Sequence, residues 1–189
     1  MSTDYLRYYD LESYLFENVT KKFHENGSIG AFDFFSIVVW KANRAKSVTA
    51  KRLRKAKRAG ESLDALCHRL TAEVHDAPDP KARFMVLTDQ PWGFALPMAS
   101  AILAVLYPDE FTIYDYRVCE ELQDFGNLTH VAHRDRLWSG YSRFLAAVRT
   151  ASIEANLRDK DRYLSGRSSA RQLQCEIDTW FESVPATAT

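Results

Sequence analysis

The chain is poor in the features that mark several classes of protein. Its three cysteines, Cys67, Cys119 and Cys175, are widely spaced and odd in number. That suits a reducing cytosol better than a disulfide framework. Cys67-His68 and the other histidines lack metal-ligand spacing, so no metal and no cofactor is expected. The apolar run AILAVLY stops at Pro108, far short of a membrane span. MSTDYLRYYDLES has neither a basic n-region nor an apolar h-region, so it does not read as a secretory signal. GRSSAR is neither a P-loop nor a nucleophile elbow. No segment alternates convincingly with period two, and no internal repeat is present, which leaves an all-α protein.

What is present is enough for a core. At 189 residues, 46% hydrophobic and 13% aromatic, the chain can form one compact domain or two small lobes sharing one core. Leu11, Tyr14, Leu15, Val19 and Phe23 share a helical stripe across 10–25, and Asn26-Gly27 supplies the stop. AFDFFSIVVWKAN is apolar nearly all round, the pattern of a central helix. Residues 46–59 are rich in good helix formers and end at Gly60. Glu61-Ser62 opens a helix to about Val74, and residues 80–88 form a short one. A helix is expected from Leu96 to Leu106, and another from about Asp115. HRDRLWSGYSRFLAAVRTASIEANL reads as one long amphipathic helix, SARQLQCEIDTWFESV as a shorter closing one. The domain is expected to span 1–183, with VPATAT, residues 184–189, as a frayed tail.

Formal net charge is zero, yet the charges are segregated. Lys41 to Arg58 holds nine Lys and Arg and no acid. The remaining sixteen cations stand against 25 acids, a net of −9. Nine cations without a balancing acid repel one another, and such a stripe is a footprint of polyanion binding. Its bland counterpart is a solvated helix face.

The densest signal is PWGFALPMASAIL followed by TIYDYRVCEEL. Gly93 permits a sharp turn. Pro97 falls in the first helical turn, where its missing N–H costs little. Alanines at 95, 99, 101 and 104 keep the helix thin, and its N-terminus is a potential phosphate site.

These residues resemble the helix-hairpin-helix DNA glycosylases of the endonuclease-III-like (HhH-GPD) superfamily. That family carries L-P-G-V-G-x-K-T-A before an aspartate within V-D-T-H-V. With Gly93 on the first hairpin glycine, Pro97 falls on the lysine position. Asp115, eighteen residues further on, falls on the aspartate. YPDEFTIYDYRV is close to bacterial relatives, and Trp40-Lys41 after an apolar helix is a further likeness. The close match covers roughly residues 80–123. There are three departures. Ala95 replaces the second glycine, Pro97 replaces the Schiff-base lysine, and the four-cysteine iron–sulfur loop of some relatives is missing.

The resemblance implies a two-lobed helical fold with a DNA cleft between the lobes. The hairpin would occupy about 80–106, and the loop 107–117 would carry the catalytic aspartate. It implies a monofunctional glycosylase that removes a flipped damaged or modified base, with Asp115 stabilising positive charge on the sugar and orienting the attacking water. Asp115 also suits a plain N-cap, and the two roles are compatible. Gly93, Ala95, Met98, Ser100 and Arg117 would meet DNA around the hairpin, and Lys41, Lys51, Arg54 and Arg58 would contact phosphates. Trp40, Tyr114, Tyr116, Gln90 and Trp92 are candidates for the base pocket or the wedge that fills the gap. The implied partner is double-stranded DNA, bound by a monomer in the cytoplasm (on the nucleoid in a prokaryote), in base-excision repair or defence against modified phage DNA. A non-catalytic hairpin DNA-binding module and a helical protein adaptor remain open alternatives.

Overall fold

The structure, a computed structural model, describes residues 5–183. Every regular element among them is helical. The expected tail, 184–189, lies outside the described residues. No helix among them is long and apolar enough to cross a membrane.

After a 3₁₀ turn at Leu6–Tyr8, Asp10 opens the first α-helical run, its Oδ1 accepting from the Ser13 amide at 3.1 Å. A short α1 (Leu11–Ser13) passes into a π-helical turn, Tyr14–Val19, and then α2 (Thr20–Asn26). Gly27, at φ 70°, ends it in the left-handed region that only glycine enters freely. Central helix α3 (Ala31–Ala42) buries Phe34, Ile37 and Val38 completely. A 3₁₀ turn at Asn43–Ala45 leads into α4 (Lys46–Ala56), which buries only Thr49 and Leu53. Its remaining surface is the cationic stripe.

Helices α5 (Leu63–Asp76) and α6 (Pro80–Thr88) begin on side-chain caps. Ser62 accepts from the Ala65 amide at 3.1 Å, and Asp79 from the Ala82 amide at 2.8 Å. Each such cap satisfies an orphan amide and is worth about 1 kcal/mol. Nine of the eleven residues of α7 (Leu96–Leu106) are buried. Its alanines let Trp40 of α3 reach a small cluster of Ala101, Ala104 and Ile113. Burying each large aliphatic chain here contributes about 1.5–3 kcal/mol. Helix α8 (Tyr116–Leu122) follows a short loop, and α9 (Arg134–Thr150) and α10 (Leu157–Ser183) complete the chain. One contiguous apolar cluster runs from Tyr14 to Leu164.

The C-terminal third departs from the sequence expectation. The long helix expected to reach Leu157 ends at Thr150, and the expected short closing helix begins as early as Leu157. Asn156 starts it, its Oδ1 accepting from the Asp159 amide at 2.8 Å. Ser165, Gly166, Ser168 and Ser169 are weak helix formers, so tertiary contacts hold this stretch. Arg167 and Arg171 both bind Glu121 of α8, and the Ser168 hydroxyl donates to Glu120 at 3.2 Å.

Candidate active site

The turn between α6 and α7 forms because Gly93 adopts φ 58°. Its amide donates to the Asp89 carbonyl at 2.7 Å, and the Phe94 amide to Leu87 at 2.8 Å. Arg52 of α4 donates to the Gly93 carbonyl. Both backbone groups of Gly93 are thus committed internally, so its expected role as a direct DNA contact is corrected to shaping the turn. The amides of Ala95 and Leu96 have no hydrogen-bond acceptor among the described residues. They are the two orphan donors at the start of α7.

Asp115 is the N-cap of α8, and its Oδ1 accepts from the Arg117 amide at 3.1 Å. Its other oxygen, Oδ2, accepts from Lys41 Nζ at 2.7 Å. Side-chain exposures of 15% for Lys41 and 25% for Asp115 make this a sheltered pair with solvent access. Burial pushes the Asp115 carboxyl up, but the charge and hydrogen bond of Lys41, with the Arg117 amide, outweigh it. The carboxyl lies below its ordinary value. The expectation that Lys41 faces a phosphate is corrected here, because the end of α3 turns it inward onto Asp115.

Two cavities meet at this pair. The first, about 360 Å³, is lined by Trp40, Ile113, Arg158, Asp161 and Arg162 among others. The second, about 700 Å³, is lined by Pro97, Tyr114, Tyr116, Cys119, Phe125 and Asn127 among others. Lys41 and Asp115 are the residues common to both. Gln123 (φ 55°) and Phe125 (φ 71°), both on the second cavity's wall, occupy the left-handed region without being glycine. Backbone of that kind gathers at functional sites.

The other candidates divide by burial. Trp92 is 1% exposed, its indole N–H donating to Glu73 at 2.7 Å under the Arg69 guanidinium. It anchors the turn and is not available as a wedge. Tyr114 is buried, its hydroxyl donating to the Phe125 carbonyl, so it is a wall rather than an exposed stacking surface. Ser100 is fully buried. Its hydroxyl accepts from the Tyr114 amide at 2.9 Å, so it does not reach a DNA surface. Met98 packs half-buried against the core. Ala95 and Gln90 are exposed, and the Gln90 amide lies over the Gly93 turn. Tyr116 is exposed, with the Arg117 guanidinium 4.8 Å above its ring. Lys51, Arg54 and Arg58 are exposed on or just beyond α4. Trp40 is half-buried between Phe16 and Arg158.

Sequence reasoning missed Glu12, Arg158, Asp161 and Arg162. Their signal was the i, i+3, i+4 spacing of the last three on one helix face. It becomes readable once the helix is known to start at Leu157.

No protein-family model matches the chain, and no curated protein and no solved structure is significantly similar to it. The geometry of the site therefore carries the functional reading alone.

Proposed function

We propose that the chain is a monofunctional DNA glycosylase that hydrolyses the N-glycosidic bond of a flipped, damaged or modified base. The observation that carries this reading is the Lys41–Asp115 pair, set between two cavities beside the α6–α7 hairpin. Hydrolysis builds positive charge on the deoxyribose as the base leaves. An ionised carboxylate stabilises that charge and takes a proton from the attacking water. Asp115 is held ionised by Lys41. A flipped base needs a pocket and a grip on the flanking phosphates. The adjoining cavities offer the first, within the range of roughly 300–1,000 Å³ of small-molecule sites.

The free amides of Ala95 and Leu96 offer part of the grip. The exposed cations of α4 offer the rest, and Arg52 ties that helix to the hairpin turn. Pro97 in the first turn of α7 has no amine. The nearby amine, Lys41, is engaged by the Asp115 carboxylate at 2.7 Å, consistent with hydrolysis rather than Schiff-base chemistry. Double-stranded DNA, acted on by a monomer in the cytoplasm or on a nucleoid, is the partner this reading takes. Its biological setting is base-excision repair or defence against modified phage DNA.

The test is mass spectrometry of bases released from natural, damaged and phage DNAs, with abasic sites counted in parallel. Base release by the wild type that is abolished in Asp115→Asn supports the proposal. DNA binding with no abasic site from any DNA in the panel sinks it in favour of a non-catalytic hairpin DNA-binding module.

A further inference from the structure

The cavity on the α10 side of Asp115 holds a second carboxylate. Asp161, 3% exposed, lies on the first turns of α10 and lines the same 360 Å³ space as Asp115. Its Oδ2 accepts from Arg158 Nη1. Its Oδ1 has no hydrogen-bond partner among the described residues, which leaves that oxygen to a molecule in the cavity. The surrounding charges come from every element packed around it. Arg158 and Arg162 belong to α10 itself, Lys41 to α3, and Asp115 to the cap of α8. Glu12 of α1 binds Arg158 at 2.8 Å and Arg162 at 3.4 Å, and the buried Tyr141 of α9 also senses Asp161. Two carboxylates thus border one cavity in unlike surroundings. Asp115 has an ammonium and an amide on it and partial access to solvent. Asp161 is almost wholly buried with only its edge on the cavity, and its arginine is shared with Glu12.

Resting on the glycosylase reading above, we propose that Asp161 is the general acid of the site, donating its proton to the leaving base, and that the substrate is therefore an uncharged base that needs protonation to leave. Pairs of carboxylates whose environments separate their proton affinities divide acid from base in this way. Burial pushes the Asp161 carboxyl up to about 6, against the pull of Arg158 and Lys41 and with the help of the Asp115 charge. Below about pH 6 it therefore keeps its proton while Asp115 is already ionised. As the C1′–N bond breaks, its electron pair goes to the base, which receives the Asp161 proton. Water oxygen forms the new C1′–O bond, and its proton passes to Asp115. Solvent returns that proton from Asp115 to Asp161, leaving free base, an abasic sugar and both carboxyls in their starting states.

An N7-alkylated purine provides the control, because it already carries positive charge and leaves without a proton donor. The wild type, Asp161→Asn, Asp161→Glu and Asp115→Asn are compared in single-turnover excision on two sets of DNA. One carries uncharged modified bases, the other N7-methylguanine, and both are run across the neutral pH range. The expected result is release of an uncharged base by the wild type, with a rate that falls as Asp161 loses its proton. Asp161→Asn should lower that rate by about 100-fold or more and abolish the alkaline decline, with DNA affinity kept within about threefold. Asp161→Glu, which retains an acid, should restore part of the rate. Any release of the methylated purine should be lowered by Asp115→Asn and little changed by Asp161→Asn.

The proposal is overturned if Asp161→Asn releases the uncharged base at the wild-type rate, or if the wild type releases only the cationic one. A wild type that releases neither overturns the glycosylase reading itself.

Discussion

Replacing Asp161 with Asn should make the protein more stable at neutral pH and leave it nearly unchanged in acid. In the folded chain the Asp161 carboxyl titrates at about 6, against an ordinary 3.8. Each unit of displacement corresponds to about 1.36 kcal/mol, so the folded state gives up about 3 kcal/mol when it must hold this group ionised. The sign follows from the protons bound. Between the two values the native state holds the proton and the unfolded state has released it. Stability therefore falls as pH rises from about 4 to about 6, then levels off. Asn lacks this titration. It keeps an amide oxygen for Arg158, which also retains Glu12, so no buried guanidinium loses all its partners. Urea unfolding of both proteins at about pH 4 and about pH 7.5 measures the effect. The variant's advantage should grow by about 2.4 kcal/mol between those conditions, since the unfolded carboxyl is already partly ionised at pH 4. A flat difference, or a loss of stability by the variant at neutral pH, would show Asp161 to be an ionised partner of Arg158 and refute the reasoning.

Other perturbations test other links. Lys41→Met removes the main influence that lowers the Asp115 carboxyl. The acid limb of any base-excision pH profile should move to higher pH, and an unmoved limb would separate Lys41 from the chemistry. Gly93→Ala places a Cβ at φ 58°, 3.1 Å from Arg52 Nη1. It should cost about 1–2 kcal/mol in urea unfolding, and no loss would mean that the turn relaxes freely. Gln123→Gly, at the left-handed end of α8, should instead gain up to about 1 kcal/mol. Neutralising Lys51, Arg54 and Arg58 together should make the dependence of DNA affinity on salt shallower, by about one counterion for each phosphate these side chains neutralise. An unchanged slope would remove α4 from the interface.

The helices were legible where local chemistry and burial agree. Residues 80–88 and 96–106 are bounded by caps and prolines that act within a few residues, and their limits read directly from sequence. Asp115 was legible for the same reason, since it caps the next helix and follows a recognisable turn. The partners of Asp115 were not legible. Lys41 lies 74 residues away in a cationic run, and nothing local tells the one inward lysine from its exposed neighbours. Asp161 was hidden further, because weak helix formers obscure the start of α10. That segment is helical through Glu120 and Glu121 of α8, contacts that no local pattern records. Burial misled in the other direction at Trp92 and Ser100. Their places beside and within the hairpin suggested roles facing DNA, yet their polar atoms are satisfied inside the fold by Glu73 and by the backbone around Tyr114.

Lys41 and Asp115 also stand at a junction. They border both cavities, and the contact is a single ion pair with one long, rotatable side chain. A molecule that draws Lys41 away from Asp115 alters the border of a smaller polar compartment and of a larger, more apolar one. The space offered to a ligand then depends on the ligand's own charge. An anionic group beside the pair is expected to compete for the ammonium, and a cationic one is not.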